Sequence, residues 1–81
     1  MEITVHGATI IVDPEAGTLR PKTKKDGIIF GITWSPVDIY ELQSQRAARD
    51  AAIEAANKAV GGEPALGWLW LGVDGRPRYL L

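Results

Sequence analysis

The chain contains no cysteine and only one histidine among its 81 residues. Without thiols it can form neither a disulfide framework nor a thiolate zinc site, so packing alone has to hold the fold. The single histidine, His6, lies between Val5 and Gly7 and reads as an exposed strand residue. Ser35 and Ser44 have no other imidazole to draw on, so a hydrolase triad would have to be assembled on His6. An excess of charge is also missing. Nine Lys and Arg against ten Asp and Glu leave a net charge of -1, which by itself points to neither nucleic acid nor an anionic membrane. No apolar run approaches the roughly 18 residues of a membrane span. The opening MEITVHG carries an acid where a signal peptide would be basic, so the expected location is the cytoplasm. Phosphate-loop, dinucleotide, zinc and calcium patterns are absent, and the expectation is a non-catalytic protein with no cofactor and no metal.

The residues that are present describe a small globule. With 46% hydrophobic and 23% charged residues, the composition is that of a folded domain, and the length allows one, residues 1–81, with a small core. Residues 2–13 are rich in β-branched side chains, with a bulge or turn expected at Gly7. Asp13, Pro14 and Gly17 then suit a hairpin turn into residues 18–25, where Pro21 belongs at an edge or bulge. The run IIFGITW, residues 28–34, is read as a strand after a turn at KKDG.

A helix is expected from about 36 to 60. Ser35 can cap it, Pro36 fits its first position, Asp38 complements its first turn, and Gly61-Gly62 supplies the stop. At 100° per residue, Val37, Tyr40, Ala47, Ala48, Ala51, Ala52, Ala55 and Ala59 share one side, flanked by Leu42, Ile53 and Val60. Arg46, Asp50, Glu54 and Asn57 mark the wet side. The last two strands, residues 66–73 and 76–81, flank Asp74-Gly75, a strong signal for a type I′ turn. That register sets Val73 against Arg76 and Trp70 against Tyr79.

The expected fold class is therefore α+β, in the order β-β-β-α-β-β, with a curved antiparallel sheet and one long helix packed on one face. An alanine-lined helix contributes little volume, so bulky strand residues should face it. Trp68, Trp70 and Tyr79 are the natural partners, joined by Phe30 and Trp34. The opposite face is the difficulty. Leu69, Leu71 and Val73 would point there, with Ile29 and one of Ile10 or Ile11. Either the sheet curls so that the first hairpin closes over these residues, or another molecule covers them, since large exposed apolar patches tend to mark contact sites.

Two basic clusters border this surface: Arg20, Lys22, Lys24 and Lys25 in one, Arg76 and Arg78 in the other. The preferred expectation is a protein partner, or a second copy of the chain in a homodimer, with Leu69, Leu71, Val73, Arg76 and Arg78 in contact and the first cluster as a charged rim. The alternative is nucleic acid, with Trp68, Trp70 and Tyr79 stacking bases beside the arginines. In outline only, the order of elements and the small size resemble compact proteins with which phages and mobile elements bind and block host machinery.

Overall fold

A computed structural model describes residues 1–32 and 43–78. Strand β1, Glu2–Val5, turns directly into β2, Ala8–Asp13, through His6 and Gly7. Both turn residues have positive φ, 52° and 75°, as a two-residue type I′ hairpin requires, and Val5 pairs with Ala8 across it. The irregularity expected at Gly7 is thus a full reversal that divides residues 2–13 into two strands. The next hairpin forms as its residues suggest. Asp13 accepts the amides of Glu15 and Ala16 through Oδ1, the Gly17 amide returns to the Asp13 carbonyl at 2.8 Å, and β3 follows over Thr18–Pro21.

The first departure comes next. Residues 28–32 do not begin a strand: Ile28, Ile29 and Phe30 finish helix α1, Lys24–Phe30, and Ile32 follows it, while the rest of the expected strand, with Trp34, lies outside the described residues. The cause is local. The Thr23 hydroxyl accepts the Asp26 amide while Asp26 Oδ2 accepts the Thr23 amide, a reciprocal capping box. At the other end Gly31, with φ 72°, closes a Schellman motif in which the Ile32 amide reaches the Gly27 carbonyl at 2.8 Å and the Gly31 amide reaches that of Ile28 at 3.2 Å. With both ends closed, a short apolar run that suits either structure is held as helix.

Helix α2, Gln43–Val60, is the long helix expected, and it ends at Gly61 with φ 80°. Its expected start, with Ser35, Pro36, Val37, Asp38, Tyr40 and Leu42, lies outside the described residues. The buried stripe is Ala48, Arg49, Ala52 and Ala56, while Ala47 and Ala59 are exposed, so the inner face is turned by about one residue from the one expected.

Strand β4, Leu69–Trp70, completes a four-stranded sheet in the order β1-β2-β3-β4. The fold is α+β with a long helix, as expected, but the sheet is mixed and not wholly antiparallel, because β4 runs parallel to β3. Parallel neighbours need a long crossover, and α1 and α2 provide it. The turn after β4 differs as well. The Gly72 amide bonds to the Arg76 carbonyl at 2.7 Å, the Gly75 amide bonds to the Gly72 carbonyl at 2.9 Å, and Leu71 bridges Pro77. This is a three-residue loop with Gly75 left-handed at φ 81°, not a two-residue type I′ turn. Arg76 therefore faces Gly72 and not Val73, and Tyr79, Leu80 and Leu81 are outside the described residues.

The helices lie on the sheet face formed by Ile3, Val5, Ala8, Ile10, Val12, Leu19, Pro21 and Trp70. Phe30 and Trp70 supply the bulk that the alanines of α2 lack, their rings tilted with centroids 5.6 Å apart. Trp68 is half-buried at the rim and donates its Nε1 hydrogen to Asn57 Oδ1 at 2.7 Å, which draws Asn57 out of the wet face.

Candidate functional site

Strand alternation assigns the other sheet face. From its pairing, Glu2 stands beside Ile11 and Ile11 beside Arg20, Thr4 beside Thr9, and Asp13 beside Thr18, which neighbours Leu69. No helix of the described residues covers this side. Leu69 is 41% exposed, and Leu71 is half-buried. Ile11, Asp13, Thr18, Arg20, Leu71 and Gly75 line a shallow hollow of about 160 Å³.

Sequence reasoning placed Leu69 and Leu71 on this face, and the structure brings both there. Val73 is separated from them. Its Cγ2 would lie 3.6 Å from a Cβ built on Gly27, so it packs toward α1, because the left-handed Gly75 loop breaks strand alternation after Leu71. Ile29, expected on the same face, belongs to α1 and packs against the core. Of the pair left open, Ile10 is internal and Ile11 faces outward.

The six basic residues do not form one surface. Lys22 is bound to Glu2 at 2.8 Å, and this hydrogen-bonded pairing with its charge attraction holds the Lys22 ammonium above its ordinary pKa. Lys24 and Lys25 are exposed in the first turn of α1. Arg78 is held by both carboxylate oxygens of Asp74, at 3.0 and 3.2 Å, while Arg76 extends into solvent with only a 4.0 Å approach to the same carboxylate. The Arg76 amide lowers the Asp74 pKa most, burial opposes it with a smaller effect, and the hydrogen bond and charge of Arg78 lower it further. Arg20 alone of the six lines the hollow.

Thr18, Asp13 and Ile11 were not singled out as contact residues. Their signal was the turn at Asp13-Pro14, which fixes Asp13 opposite Thr18 and from there the side on which every residue of β2 and β3 falls. His6 is exposed at the β1–β2 turn. Among the described residues no group of three His, Asp or Glu side chains is arranged to hold a metal ion, and no helix is long and apolar enough to cross a membrane. No protein-family model, curated protein or solved structure matches the chain.

Proposed function

We propose that the chain is a small non-catalytic protein-binding module of the cytoplasm that presents to its partner the sheet face opposite the helices, which no other element of the described residues covers. One observation carries this reading: the face opposite the helices holds an apolar strip, Leu69, Leu71 and Ile11, around a hollow, where a half-wet sheet ordinarily alternates to polar residues. Of the three aromatic residues that would stack bases in a nucleic-acid complex, the two that are described are otherwise engaged, since Trp70 is 5% exposed against Phe30 and Trp68 is bonded to Asn57.

The test is a selection of displayed random peptides on the immobilised chain, repeated with Leu69→Asp. The expected result is a set of enriched peptides that the variant no longer retains, with an unchanged far-UV circular dichroism spectrum. Retention of the same peptides by the variant would remove this face from the account.

A further inference from the structure

The cations around the uncovered face differ in what they hold. Lys22 has Glu2, and Arg78 has Asp74. The Arg20 guanidinium makes no ion pair or hydrogen bond among the described residues, although the residue is half-buried in a hollow walled by Ile11 and Leu71. A guanidinium that has given up part of its hydration without gaining an acceptor leaves an unmet demand for one. Thr18, beside it in the lining, offers a hydroxyl. Asp13 lines the same hollow, but its Oδ1 is committed to the amides of Glu15 and Ala16.

Size selects the kind of occupant. A sheet four strands wide with about four residues to a strand presents roughly 250 Å² at spacings of ~4.8 and ~3.3 Å. A stable interface between folded proteins takes about 800 Å² from each partner. A second copy docked face to face on this patch would fall well short, whereas a short extended segment fits it.

We propose that the hollow is a carboxylate-recognising subsite, taking an Asp or Glu side chain of a partner peptide on Arg20 while a neighbouring apolar side chain lies against Ile11 and Leu71. This rests on the protein-binding reading and adds the chemistry of the partner. The planar fork of arginine matches a carboxylate with two parallel hydrogen bonds, which neither a lysine nor a neutral ligand reproduces. Arg76, exposed beside the Gly75 wall, adds attraction from a distance.

The experiment titrates the full chain into fluorescein-labelled short peptides, each with one Leu and one Glu at a set spacing, and into the same peptides with Gln for Glu, followed by fluorescence polarisation. At least one Glu peptide is expected to bind about tenfold or more tightly than its Gln twin. Arg20→Met should abolish that preference, and Asp13→Asn, which keeps the turn acceptor and removes the opposing charge, should tighten binding. Equal binding of both peptide sets, a preference that survives Arg20→Met, the absence of any binding, or a dimer in sedimentation at the concentrations used would each overturn the subsite. Equal Glu and Gln binding that Leu69→Asp still abolishes would leave the protein-binding reading standing. Binding indifferent to Leu69→Asp would remove both.

Discussion

Arg49, near the start of the inner stripe of α2, donates its Nη1 hydrogen to the main-chain carbonyl of Phe30 at 2.8 Å. Phe30 is the last residue of α1, and its carbonyl is one of those a helix end leaves without an intrahelical donor. One turn earlier on α2, Gln45 makes the companion bond to the Ile28 carbonyl at 3.2 Å. The two helices are thus joined by side chains of one closing the end of the other, and the buried charge sits where the negative end of α1 favours a cation.

Removing that donor should be costly. Arg49 is 7% exposed, so Arg49→Met keeps much of the packing volume while leaving the Phe30 carbonyl without this partner. A loss of about 2 kcal/mol is expected, at the level of a charge-assisted hydrogen bond, and urea denaturation measures it. Stability within about 0.5 kcal/mol of wild type would mean that the bond is replaced by solvent at no net loss.

Gly27 makes a sharper case because two effects oppose each other. Glycine inside a helix ordinarily loses about 1 kcal/mol relative to alanine, so Gly27→Ala should stabilise if propensity decided. A Cβ there would stand 2.7 Å from the Ile32 carbonyl oxygen, which is backbone and not the far end of a flexible side chain. Overpacking of this kind costs about 1–3 kcal/mol, so the expected sign is a net loss. A raised thermal midpoint would show that the turn yields.

The pH dependence follows from Asp26. Partial burial alone would raise its pKa, but hydrogen bonds from the Thr23 hydroxyl and from the amides of Thr9 and Thr23, with Lys22 nearby, outweigh it and leave the carboxyl below its ordinary 3.8. A carboxylate with a lower pKa in the folded state contributes stability that is complete above the unfolded value and is lost as the pH falls through the folded one. Asp74 shifts in the same direction. The urea midpoint should hold level from pH 7 to about 5 and decline below about pH 4. Asp26→Asn should be less stable at pH 7 and should decline less steeply. An equally steep decline in that variant would place the acid sensitivity elsewhere.

What could be read from the chain alone was what neighbouring residues decide among themselves. Asp13, Pro14 and Gly17 specify their hairpin, and Gly61 ends α2, because each acts within a few residues. Helix α1 is legible by the same standard, since Thr23, Asp26 and Gly31 are end signals, but the β-branched Ile28, Ile29 and Ile32 favour a strand by their own propensity. The parallel placement of β4 was not legible, because it depends on where two helices return the chain. Asp74-Gly75 suits a two-residue and a three-residue loop alike. The longer loop goes with the Asp74 carboxylate accepting the Arg76 amide at 3.1 Å and gripping Arg78, and that choice is what takes Val73 away from Leu69 and Leu71.

The adjacent pair Ile10 and Ile11 turns sheet alternation into a measurement. Composition and periodicity could not say which of them faces the helices. The pairing of Ile10 with Ile3 and Pro21 sends Ile10 into the core, fully buried, while Ile11 pairs with Glu2 and Arg20 on the uncovered side. Truncating Ile10 to alanine removes buried methyl groups and leaves a cavity against Phe30 and the alanine stripe, so a loss of about 2–5 kcal/mol is expected. The same truncation at Ile11 opens toward solvent, leaves no closed cavity and should cost about 1 kcal/mol. Urea denaturation of the two variants decides: equal losses would mean that something in solution encloses the outer face as fully as the helices enclose the inner one, and a larger loss at Ile11 would reverse the assignment of the faces.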